Sequence, residues 1–124
     1  MFVRARIEEK KMADGNEVER TIRVVPFNGT ASEWSEWREK FYAKAVEMGF
    51  DELLDGDEIA PADNTANPTN EEKRLIRLNK KAYSQMIMGL KQTLFGIVKV
   101  EKTTDHPKGD ARQSWVDLMA KYES

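Results

Sequence analysis

The rhythm of hydrophobic positions changes near residue 26. Before it, apolar residues alternate with polar ones. Val3, Ala5 and Ile7 fall on one side of an extended chain with Arg4 and Arg6 on the other, and Val18, Ile22 and Val24 alternate with Glu19, Arg23 and their neighbours. Asp14-Gly15-Asn16 separates the two runs, and Asp-Gly favours a tight hairpin because glycine accepts positive φ. The pattern predicts a β-hairpin over residues 1–26. A short helix over residues 6–13 is the rival reading, because Glu8, Glu9, Lys10 and Lys11 are good helix formers.

Beyond residue 26 the spacing becomes three and four. Pro26-Phe27-Asn28-Gly29 is a turn, and Thr30 with Glu33 has the form of a capping box. Trp34, Trp37, Phe41, Ala45 and Met48 then make one buried helical stripe that stops at Gly49, where a left-handed residue ends a helix well. One more turn, 50–54, precedes Gly56. Residues 56–70 form a polar loop with two prolines, long enough to dock a partner. Thr69 and Glu72 make a second capping box. The long helix behind it, 71–90, is expected to bury Leu75, Leu78, Ala82 and Met86 beside Ile76, Tyr83 and Ile87. A short apolar helix over 94–98, a polar stretch over 102–109 and a last helix from Asp110 complete the chain, the last burying Trp115, Leu118, Met119 and Tyr122. The expected architecture is mainly α: one domain, a compact bundle of about four helices over 27–124 behind the hairpin. Trp34, Trp37, Phe41, Trp115 and Tyr122 are its predicted core.

Composition narrows the function. The chain has 124 residues, of which 40% are hydrophobic, enough for one core. Twenty basic and 22 acidic side chains nearly cancel, so no global field draws the chain onto nucleic acid. No apolar run approaches the roughly 18 residues of a membrane span, and charge enters the N-terminus too early for a secretory signal. The expectation is an intracellular, cytoplasmic protein with no membrane partner. No cysteine is present, which removes thiolate nucleophiles and sulfur-ligated zinc. The lone histidine, His106, is read as an exposed loop residue. The acidic run Asp51, Glu52, Asp55, Asp57 and Glu58 lacks the alternating ligands of a calcium loop and reads as a solvated helix end. There is no phosphate-binding glycine loop and no triad motif. The sequence thus predicts no enzyme, no metal and no cofactor.

Ordered motifs carry a resemblance. Pro26-Phe27-Asn28-Gly29, Trp34, Trp37 and Phe41, then Gly49 with Leu53, Leu54 and Gly56, resemble the opening of the Gag protein of copia-type LTR retrotransposons. Ala82, Met86-Ile87 and Leu90 resemble its alanine-and-isoleucine helix, and Ala111 to Leu118 with Trp115, followed by Tyr122-Glu123, resembles its closing tryptophan motif. The likeness spans residues 22–123 in order. It implies a fold like the N-terminal lobe of a retroviral capsid and a structural function, self-association into a virus-like particle around element RNA. The family's second lobe and zinc knuckle have no counterpart here, which implies an excised fragment or a domesticated descendant. The alternative function is a domesticated Gag-like adaptor for protein–protein interaction.

Helical geometry supplies a surface for self-association. At about 100° per residue, the face of the first helix opposite its tryptophans carries Glu36, Glu39, Ala43 and Glu47. The back of the long helix carries Lys73, Arg77, Lys80, Lys81, Ser84, Met88 and Lys91. The acidic back of one copy is expected to meet the basic back of the next, head to tail, closing into rings or extending as a lattice. Tyr42, Ala43, Val46 and Met88 would supply an apolar centre. A weaker use of Lys73, Arg77, Lys80, Lys81 and Lys91 is RNA contact along a phosphate backbone, although no aromatic residue interleaves with them for base stacking.

Overall fold

The computed structural model describes residues 24–99, 102 and 104–123. The expected hairpin lies outside the described residues, except for its last few positions. Among the described residues the chain is mainly helical: α1 (Ala31–Met48), α2 (Asp51–Asp55), α3 (Asn70–Met88), a 3-10 turn (Gln92–Leu94), α4 (Phe95–Lys99) and α5 (Ala111–Tyr122).

Local signals set the helix ends, with one correction. Thr30 flanks α1, but its hydroxyl caps nothing. Asn28 takes over part of that work, its Oδ1 accepting the Thr30 N–H at 2.9 Å. The preference of Asn for bonding backbone two residues ahead explains the substitution. Gly49 closes α1 at φ 89°, with its N–H donating to the Ala45 and Val46 carbonyls. Thr69 and Glu72 form the full reciprocal box on α3, each side chain accepting the other's backbone N–H, at 3.0 and 2.9 Å. Asp110 caps α5 by accepting the Gln113 N–H at 3.0 Å.

The core is aromatic. Phe27, Trp34, Trp37, Phe41 and Trp115 are each no more than 4% exposed, and Ala45, Leu54, Met86 and Leu118 are fully buried around them. Ring centroids 5.0–6.4 Å apart link Trp37 to Phe41 and Trp115, in the range where aromatic pairs add to simple burial. Tyr122 is half-buried rather than core. As the last residue of α5 it packs at the rim, stacked on Trp34 at 5.3 Å and edge-on to Phe27 at 4.9 Å.

The buried stripe of α3 is rotated from the expected one. Leu75, Leu78 and Ile87 are half-buried, while Ile76, Asn79, Ala82, Tyr83 and Met86 face inward. The rotation arises because α3 packs against α5 and the loop before it, which draws Asn79 and Tyr83 inward. Gly109, at φ 117°, passes so close under Tyr83 that a Cβ there would stand 2.3 Å from its ring. On the other flank, Phe27 and Leu90 form an isolated parallel bridge, with the Phe27 N–H donating to the Gly89 carbonyl and the Lys91 N–H to the Phe27 carbonyl, both at 2.9 Å.

Candidate self-association surface

α3 presents its basic back to solvent. Lys73, Arg77, Lys80, Lys81, Ser84 and Met88 are all exposed on it, Met88 to 64%, and Lys91 is exposed beyond the helix, which ends at Met88 rather than at residue 90. The five cations make no ion pair among the described residues. Arg74, one residue off this stripe, does: it binds Glu71 at 2.7 Å and Glu58 at 2.6 Å, which ties the first turn of α3 to the loop after α2 and raises its pKa.

The back of α1 is different. Glu36, Glu39 and Glu47 are exposed and Ala43 is half-exposed, as the helical period requires. Part of their charge, however, is matched within the helix. Lys40 donates to Glu36 at 2.9 Å and holds its carboxyl below the usual carboxylate range, while Arg38 lies 3.8 Å from Glu39. Lys44 and Glu47 are each engaged as well. The run Glu36, Glu39, Lys40, Lys44, Glu47 thus carries both signs, which leaves it a weak field.

Three carboxylates act on Tyr42. Its hydroxyl donates to Asp55 Oδ2 at 2.6 Å, and Asp51 and Asp57 stand close enough to act on it electrostatically. The hydrogen bond to Asp55, then burial, then the three carboxylates push the phenol up to about 12. Protonated Tyr42 is therefore favoured in the folded state. That stabilisation is complete below the ordinary tyrosine value of about 10 and is lost as pH rises from there through about 12. Absorbance titration is expected to show one phenolate step near 12 that vanishes in Tyr42→Phe and moves toward 10 in Asp55→Asn. A step left in place by Asp55→Asn would show that the aspartate is not its cause. Val46, one turn along α1 from Tyr42, is 55% exposed.

On the opposite flank, a polar knot fastens the two long loops. His106 is buried at 8% exposure rather than standing in solvent, because it closes over α3. Its Nδ1 lies 3.1 Å from Asp63 Oδ1 and 3.5 Å from Asn79 Nδ2, and the shorter contact places the ring proton on Nδ1. Asn79 donates to the Gly109 carbonyl at 2.8 Å and accepts the Ala111 N–H at 2.9 Å. The Asp63 N–H donates to the Asp105 carbonyl at 2.8 Å. Asn79 was missed in the sequence, although an asparagine at a core position of a helical stripe is the available signal of a buried hydrogen-bonding role.

A groove of about 360 Å³ runs beside this knot, lined by Leu53, Glu58, Ile59, Asn79, Asp110 and Arg112 among others. Its polar groups already serve the fold: Glu58 binds Arg74, Asp110 caps α5, and Arg112 donates to the Leu54 carbonyl at the end of α2. Among the described residues no three His, Asp or Glu side chains gather as metal ligands would, and no helix is long and apolar enough to cross a membrane.

The structure thus brings Tyr42 to Asp55, with Asp51 and Asp57 acting on it and Val46 one turn along α1, and leaves Lys73, Arg77, Lys80, Lys81, Met88 and Lys91 as a separate exposed set; it does not give Glu36, Glu39 and Glu47 a common unpaired field. A scan against protein-family models finds no match for this chain, and searches of curated proteins and of solved structures find none either.

Proposed function

We propose that this chain is a non-catalytic structural domain of the Gag capsid kind, which self-associates head to tail to build a particle. The observation that carries the reading is the α3 stripe: exposed cations on one face of a 19-residue helix, with an exposed methionine and no ion-pair partner among the described residues. Like charges spaced four apart on a helix back repel one another modestly, and a row of them facing a negative patch gives an interface its orientation and its partner choice. The resemblance of the ordered aromatic and glycine motifs to copia-type Gag supports the same reading. So does the groove, whose polar groups are committed to caps and ion pairs and leave little for chemistry.

Light scattering behind size exclusion, over a concentration series and at two salt levels, tests it. Discrete oligomers that weaken with salt are expected, as screening predicts for contacts between exposed charges. Reversing charge in Lys80→Glu with Lys81→Glu should abolish self-association while leaving helicity, read by circular dichroism, intact. A strict monomer of 14.3 kDa at every concentration would overturn the proposal.

A second reading is a Gag-like adaptor that binds a different protein. Ile59 favours it, 78% exposed on the long loop and outside the charged stripe. RNA contact by the α3 cations is the weaker alternative use of the same stripe, and a gel shift with mixed RNA at low and moderate salt discriminates it.

A further inference from the structure

The two charged surfaces invoked above are unequal, and that inequality selects the contact. Glu36 is paired with Lys40 of its own helix, Arg38 stands 3.8 Å from Glu39, and Glu47 is already engaged, so bringing this face against a second copy would first require those interactions to be broken or shared. The aspartates near Tyr42 carry no such compensation: among the described residues Asp51, Asp55 and Asp57 form no ion pair. We infer that the exposed face of α3 docks onto the Tyr42–Val46 patch of a second copy of this chain, Met88 seated on the apolar centre and the α3 cations meeting Asp51, Asp55 and Asp57 at its rim. This rests on the proposed self-association and replaces the α1 glutamates as its acidic side.

Three observations carry the inference. First, the patch has the layout of an interface, an apolar centre inside a charged rim. Val46 is 55% exposed and stands one helical turn from half-exposed Tyr42, whose hydroxyl is held by Asp55 at 2.6 Å. Second, the α3 face has the complementary layout. Met88 is 64% exposed, Ser84 and Lys81 lie four and seven residues before it on the same side of the helix axis, and exposed Lys91 follows three residues beyond the helix end. An unbranched thioether fills an irregular apolar spot at little cost. Third, the signs are opposite and neither set of charges forms an ion pair among the described residues, so the contact gains Coulomb energy without first breaking such a pair. The hydroxyl of Tyr42, with its proton held in place, fixes Asp55 as a rim acceptor rather than a freely moving charge.

Because the two patches differ, the contact is heterologous and leaves a free patch at each end. That is what a growing ring or lattice requires, and it makes the contact testable by mixing. The whole chain is used throughout, with circular dichroism to confirm that each variant is folded. Asp51→Lys with Asp57→Lys, and separately Lys81→Glu with Met88→Ala, should each weaken self-association at least about tenfold by sedimentation. Asp51→Asn with Asp57→Asn, which removes charge without adding any, should weaken it in the same direction should the lysine variant prove poorly folded. Equimolar mixing of the two charge-reversed proteins should restore association, because each then offers a complementary patch to the other. Glu36→Lys with Glu39→Lys should associate as the unaltered chain does.

Loss of assembly in the α1 pair with none in the α2 pair would overturn the inference and leave the proposed self-association standing. A monomeric unaltered chain would overturn both. A salt-dependent RNA shift that needs Lys80 and Lys81, together with assembly indifferent to Asp51 and Asp57, would assign the basic stripe to a polyanion instead.

Discussion

Trp37→Ala is expected to lower unfolding free energy by about 3–5 kcal/mol, while Trp37→Phe stays within about 1 kcal/mol of the unaltered chain. The alanine value follows from position. Trp37 is 4% exposed and its ring lies 5.5 Å from Phe27, 5.5 Å from Trp34 and 5.0 Å from Phe41, so truncation opens a cavity lined by rigid rings that cannot close over it. The loss also reaches the chain entry, because Trp37 packs where Gly89 passes and Gly89 accepts the Phe27 N–H at 2.9 Å. The total for a small domain is only about 5–15 kcal/mol, so the alanine variant sits near the threshold of folding. The phenylalanine value follows from chemistry. Trp37 Nε1 is buried with no hydrogen-bond partner among the described residues, and an orphaned donor costs about 1–3 kcal/mol. Removing it offsets most of the lost packing. Trp34 is the control: its Nε1 donates to Glu123 Oε2 at 2.8 Å, so Trp34→Phe loses a real bond and should cost more than Trp37→Phe. Urea melts of the three variants decide the matter; equal costs for the two phenylalanine variants would show that the orphaned N–H carries no penalty.

The aromatic stripe of α1 was legible because helix geometry alone sets it. Trp34, Trp37, Phe41 and Ala45 repeat at three and four, and any helix so patterned turns that side to a core. The stops at Gly49 and Gly56, both left-handed, and the Thr69–Glu72 box were legible for the same reason: each is a contact within five residues. What sequence did not show came from elsewhere in the fold. Thr30 and Asn28 both stand ready to satisfy the start of α1, and the turn geometry favoured Asn28. The inward rotation of α3 depends on the loop before α5, and His106 is buried by a partner 43 residues away in sequence, Asp63. No local pattern announces such a closure.

The candidate surface divides the same way. Exposure of Glu36, Glu39, Glu47, Lys73, Arg77, Lys80, Lys81, Met88 and Lys91 follows from helical phase and was readable at once. Whether an exposed charge is spent or available was not, since that depends on which neighbour its rotamer reaches. Lys40 is one turn from Glu36, so the pairing on α1 was within reach of an i, i+4 argument. The concentration of field at Tyr42 was not, because it joins α1 to α2 across the bend at Gly49 and Phe50.

Asn79→Leu, which keeps the number and branching of side-chain heavy atoms, is expected to cost about 2–4 kcal/mol. Leucine fills the space, so the cost is not a cavity effect; it arises from two backbone groups left stranded. The Ala111 N–H loses its acceptor at 2.9 Å and the Gly109 carbonyl its donor at 2.8 Å, in a place where Asn79 is 2% exposed and water has little access. Each orphaned group is worth about 1–3 kcal/mol. The damage should also be local. Ala111 opens α5, so its amide is expected to lose hydrogen-exchange protection in Asn79→Leu while amides in the middle of α1 keep theirs. An Asn79→Leu variant as stable as the unaltered chain, with the Ala111 amide still protected, would mean that Tyr83 packing and the Asp63 contacts hold the loop carrying His106 and Gly109. The expected loss would instead make one asparagine the fastener that sets α5 against α3, and so fixes the depth at which Trp115 enters the aromatic core beneath the Tyr42 patch.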